Sequence, residues 1–128
     1  MTFVQTEYTP YSDGAAGLKP VVPEPQFAIV PSGATPSIDV DRVEFFTIRG
    51  LAVAISGVTL TGSPGDGQVL RGRIKDNGTA RAIAWGNSFE AGSVALPTTT
   101  VQGKTLAVEF VYDAVDAKWA CEKATSRA

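Results

Sequence analysis

The stretch VLRGRIKDNGTARAIAW, residues 69–85, decides the reading of the chain. Asn77-Gly78 is a preferred two-residue hairpin turn, because both residues tolerate positive φ. Folded about that turn, Asp76 faces Thr79, Gly72 faces Ile83 and Leu70 faces Trp85. Alternation then puts Leu70, Ile74, Ile83 and Trp85 on a core face, with Gly72 leaving room beside Ile83. The opposite face carries Arg71, Arg73 and Lys75 over Ala84, Ala82 and Ala80. Read plainly, those cations are a solvated face whose aliphatic stems cover alanine. Read functionally, they are a contact for an acidic partner surface. No aromatic side chains interleave with them, so nucleic acid is not an expected partner.

The same period of two recurs on both sides of this stretch. KTLAVEFVY places Leu106, Val108, Phe110 and Tyr112 inward, and after a polar turn around Asp113 to Lys118 the chain returns Trp119 and Cys121 to that face. Cys121 is then a small buried hydrophobe and not a reactive thiol. Trp85, Trp119 and Tyr112 are expected in the core, the alternative being a sugar-stacking platform. Upstream, RVEFFTIR is apolar on both sides, with Val43 and Phe45 against Phe46 and Ile48, which predicts that both its faces are covered. LAVAI aligns Leu51, Val53 and Ile55. At Gly57 the phase shifts so that Val58 and Leu60 point inward, as at a bulge or a bend between sheets. GSPGDG, from Gly62 to Gly67, is a turn. No segment keeps a helical period. Together these signals predict an all-β fold, an antiparallel β-sandwich or jelly roll, over residues 37–128.

Residues 1–36 have a different composition. Pro10, Pro20, Pro23, Pro25, Pro31 and Pro36 lie here, six of the eight prolines in the chain. Proline fixes φ and biases its predecessor toward extended geometry, so an extended N-terminal arm is expected. The arm also carries Phe3, Tyr8, Tyr11, Leu18, Val21 and Val22, more large apolar groups than a linker needs. Either it wraps its own domain or, the favoured reading, it docks on a neighbouring subunit through those six residues.

Composition removes several function classes. The chain has 128 residues, 44% hydrophobic and 19% charged, which suits one folded domain. Its net charge of −2 gives no general attraction to nucleic acid. It has no histidine and one cysteine, which removes the commonest general base and excludes imidazole or thiolate zinc sites. No loop has the acidic density of a calcium site, and no catalytic residues stand out among 13 acids. No catalytic, cofactor or metal site is therefore expected. No apolar run reaches the ~20 residues of a membrane helix, and MTFVQTEYTP lacks the character of a signal peptide, so no membrane partner and synthesis in the cytoplasm are expected.

In order along the chain, GSPGDGQVLRGRIKDNGTARAIAW, LPTTTVQGK and FVYDAVDAKW resemble a short β-rich module of bacteriophage virion proteins. That module occurs in tail-fibre, baseplate-associated and small capsid-associated proteins. The resemblance spans Val58 to Trp119, roughly half the chain, and stops short of the first 36 residues. It implies a non-enzymatic structural protein of the virion, made in the host cytoplasm. Combined with an arm, the module is expected to serve as a capsid decoration or cement protein that binds the major capsid protein or other virion subunits. A short tail-fibre, tail or adaptor subunit is the alternative, and a carbohydrate-binding module the second. The doubly apolar strand from Val43 to Ile48 predicts a homo-oligomer, a trimer before a dimer.

Overall fold

The computed structural model describes residues 26–127, together with the backbone of Glu7–Thr9 and Gly14–Ala16. Its centre is the strand Val69–Asp76, hydrogen-bonded along both edges. Ten strands are described: β1 (Glu7–Thr9), β2 (Gly14–Ala16), β3 (Phe27–Ile29), β4 (Ser37–Asp39), β5 (Phe45–Leu51), β6 (Thr59–Thr61), β7 (Val69–Asp76), β8 (Phe89–Ala91), β9 (Thr105–Asp113) and β10 (Lys118–Arg127). There is no helix among the described residues, and the fold is all-β.

Six strands form the main sheet in the order β3-β5-β7-β9-β10-β8, and β4 pairs with β6 in a second, short sheet. The main sheet is mixed, where a purely antiparallel one was expected. β3, β5 and β7 run parallel to one another, β9 is antiparallel to β7 and β10, and β8 is parallel to β10. The connections explain the parallel half. From β3 to β7 the chain alternates between sheets, so that each return to the main sheet passes through one strand of the small one. β4 and β6 therefore occupy the place that a crossover helix takes in a βαβ unit, and they too pair in parallel.

The hairpin expected at Asn77-Gly78 ends in a turn without a returning partner strand. Asp76 Oδ1 accepts the Gly78 N–H at 3.0 Å and Gly78 has φ +106°, so the chain does bend there. Both edges of β7 are already taken by β5 and β9, which leaves no backbone groups for residues 79–85. That segment crosses into the covering layer, where Ile83 bridges Ile55 and Ala82 bridges Thr99. Its inward residues are nevertheless those anticipated, since Ile83 and Trp85 are buried. Gly72 makes room for Phe46 of β5 and not for Ile83: a Cβ at Gly72 would overlap the Phe46 ring. The C-terminal hairpin forms as anticipated, with Tyr112 opposite Trp119 and Phe110 opposite Cys121, and a bulge beyond that pair.

The core lies between the two layers. Phe46, Ile48, Leu70, Ile74, Leu106, Val108, Phe110, Trp119 and Cys121 come from the main sheet, and Ile38, Val40, Ile55, Val58, Ile83 and Trp85 close over them. Trp85, Phe89 and Phe110 pack as a triad with ring centroids 4.9–5.2 Å apart, and Trp85 Nε1–H donates to the Pro97 carbonyl at 2.8 Å. In LAVAI, Leu51 and Ile55 are buried but Val53 is exposed, because positive φ at Gly50 and the break after Leu51 take residues 52–54 out of the strand. Residues 27–30, grouped with the arm by composition, join the folded unit: β3 is an edge strand of the main sheet and Val30 lies in the core. Further upstream, β1 and β2 pair antiparallel, so the chain doubles back between Thr9 and Gly14 where one extended run was expected. The side chains of Phe3, Tyr8, Tyr11, Leu18, Val21 and Val22 lie outside the described residues.

Candidate binding face

One face of the main sheet is core; the other is left open by the described residues. On that outer side the pleat presents Phe27 and Ile29 from β3, Phe45 from β5, Arg71, Arg73 and Lys75 from β7, Ala107 and Glu109 from β9, and Lys123 and Thr125 from β10. Phe27 and Ile29 are 55% and 57% exposed, high for large apolar side chains that share one short strand.

The basic stripe sits on this face, but its neighbours are not the alanines expected. Arg71 lies between Phe45 and Glu109, Arg73 between Thr47 and Ala107, and Lys75 beside Thr105. The reason is again that β7 pairs with β5 and β9. Arg71 Nε donates to Glu109 Oε1 at 3.1 Å. With Arg71 half exposed, that ion pair stabilises the fold by no more than about 1 kcal/mol. The Arg73 guanidinium stands 5.0 Å above the Phe45 ring, whose other neighbour is Phe27 at 5.7 Å. Phe45, the outer half of the doubly apolar strand, is thus only partly covered, by an arginine and a phenylalanine.

Between Phe45 and β10 the face dips into a groove of about 380 Å³, lined among others by Arg71, Arg73, Ala107, Lys123 and Arg127, with Val94 on the far rim. Its floor is small and apolar, while its walls carry four cations against Glu109 and Glu122. Aromatic residues and arginine around an apolar floor is the composition that protein interfaces favour. Sequence periodicity placed the three β7 cations on one side. It did not show that Phe27, Ile29 and Phe45 would share that side, because this depends on the parallel register β3-β5-β7.

Other chemically interesting groups are committed to the fold. Asp76 is buried at the end of β7. Its Oδ1 accepts N–H groups from Gly78 and Gly103 (3.3 Å), and its Oδ2 accepts the Thr100 hydroxyl at 2.8 Å. Burial by itself would raise its pKa. These three hydrogen bonds and the charge of Arg81 outweigh that and hold the carboxyl below its ordinary value. The carboxylate therefore ties two loops together. Cys121 is fully buried and unpaired, and burial pushes its thiol up, which makes it unreactive.

Trp85 and Trp119 are 3% and 2% exposed, and Tyr112 packs on Trp119 at 5.2 Å, so the three do not form a stacking platform. At one end of β9, Glu90, Asp113 and Asp116 bring carboxylate oxygens within 4.8 Å of one another. Partial burial, then the charge and hydrogen bond of Asp116 and the charge of Asp113, raise the Glu90 pKa, with Lys118 opposing. Sequence reading missed this cluster because Glu90 is far in sequence from the Asp113–Asp116 turn and reaches it only through the parallel pairing of β8 with β10. Compared with protein-family models and with curated proteins, the chain matches none.

Proposed function

We propose that this chain is a non-enzymatic structural subunit of a virion, a capsid decoration or cement protein that acts by binding its neighbours. The observation that carries the binding role is the open outer face, where Phe27, Ile29 and Phe45 stand among Arg71, Arg73 and Lys123. A sheet face of this composition is unusual for a surface that meets only water, and it suits protein contact. The assignment to a phage particle rests on the resemblance of Val58 to Trp119 to virion modules. The major capsid protein, or another virion subunit, is the partner, and the subunit works as a homo-oligomer, a trimer before a dimer. A short tail, tail-fibre or adaptor subunit is the related alternative. The carbohydrate reading loses its main support, since both tryptophans are core residues.

The test is addition of the purified chain to particles that lack it, followed by sedimentation. Bound copies near the number of major capsid subunits support decoration. A dozen or fewer move the assignment to the tail. No binding to any particle component overturns the virion reading.

A further inference from the structure

From the outer face and the charge distribution of the chain, we propose that the groove on the main sheet receives the N-terminal segment, residues 1–25, of a second copy of this chain. The inference deepens the homo-oligomeric part of the proposed function and rests on it. Three observations lead there.

The first is charge. Residues 1–25 contain Glu7, Asp13 and Glu24 against Lys19, which leaves ten acids and ten bases for the remainder. The whole net charge of the chain thus sits in that segment, while the outer face concentrates Arg71, Arg73, Lys75, Lys123 and Arg127 around Glu109 and Glu122. The two are complementary in sign, which favours their encounter and fixes orientation. The second is apolar content. Tyr8, Tyr11, Val21 and Val22 match the kind of surface that Phe27, Ile29 and Phe45 leave uncovered. A two-stranded ribbon such as β1-β2 is also only marginally stable unless it packs on something.

The third is where the segment joins. It enters the domain at Gln26, whose carbonyl accepts the N–H groups of Glu44 and Phe45, at the edge of the groove-bearing sheet. Pro20, Pro23 and Pro25 favour an extended approach to that point. Exchange of the segment between copies would cover both apolar surfaces and place every subunit in the same contact.

The experiment uses the full chain. Equal amounts of unlabelled and ¹⁵N-labelled protein are mixed in denaturant, refolded together so that the copies are shuffled, treated with an amine-reactive crosslinker and digested. The expected product joins Lys19 of one isotope to Lys123 of the other. The double variant R71E/R73E should lower that product by about tenfold or more, as expected for like charges brought together. Adding E7K/E24K to it should restore the product. Should the face variant fail to fold, E7K/E24K alone reads the same contact and should lower the product as strongly. Crosslinks from Lys19 confined to a single isotope would mean that each copy covers its own groove, and would overturn the proposal. So would a yield indifferent to both charge reversals. Sedimentation with particles reads the virion role separately: a chain that binds particles yet yields no mixed-isotope product keeps that role and loses this contact.

Discussion

β7 shows both characters of the molecule within eight residues. Leu70, Gly72, Ile74 and Asp76 point into the core, whereas Arg71, Arg73 and Lys75 point to the open face. On the inner side the packing is specific: the Phe46 ring fills the space that Gly72 lacks a side chain to occupy, and Asp76 has both oxygens bonded. On the outer side an arginine over a phenylalanine and a half-exposed ion pair hold the side chains loosely. The two faces are therefore expected to respond to mutation in opposite ways, the inner through stability and the outer through association.

The largest effect should come from the centre of the inner face. Phe110→Ala removes the ring shared by Trp85 and Phe89 and should cost about 3–5 kcal/mol, read as a shift in the denaturant midpoint. A loss under about 1 kcal/mol would mean that the triad is not the keystone of the core. Next, Gly72→Val should cost about 1–3 kcal/mol through overlap with Phe46, and Phe46→Leu in the same chain should recover part of it. The absence of any recovery would place the clash elsewhere.

Gly78→Val tests the turn, where nothing crowds the position and backbone strain at positive φ is the only cost, about 1–3 kcal/mol. Wild-type melting would show that the turn relaxes without help from glycine.

Asp76 gives a pH signature. Its folded-state pKa lies below the ordinary value, so its contribution is fully present above the ordinary carboxylate range and is lost as pH falls through the depressed value. Asp76→Asn should therefore flatten the acid side of the stability profile below about pH 4. An unchanged acid limb would assign that pH dependence to other carboxylates. Smallest of all in stability should be Phe27→Ser on the outer face, within about 0.5 kcal/mol of the parent. Its effect should appear in self-association and particle binding, and equal association by parent and variant would remove Phe27 from the binding face.

Much of this contrast was legible from alternation alone. The long strands β7, β9 and β10, the hairpin that joins β9 to β10, the burial of Trp85, Phe110, Trp119 and Cys121, and the bend at Asn77-Gly78 all follow from local pattern and turn chemistry. The candidate face was half legible: Arg71, Arg73 and Lys75 were placed together, while their apolar companions were not. The three-residue strands β3, β4 and β6 build the parallel half of the fold; SIDVD reads as β-rich and Val58 and Leu60 were placed inward, but strands this short carry no signal of which partner they pair with.

What the sequence determined by itself was which side of each long strand faces the core, because a period of two is a property of the backbone pleat and needs no partner. Beyond the β9–β10 hairpin, which strand lies beside which was decided only by the tertiary structure. Backbone N–H and C=O groups are the same in every residue, so β7 would bond a returning hairpin strand as readily as β5. The choice fell to side-chain fit, with Phe46 of β5 seated over Gly72 and residues 79–85 released to close the core from the other layer. That same choice put Phe45 and, through it, Phe27 beside Arg71 and Arg73, and so made the outer face a surface fit for binding.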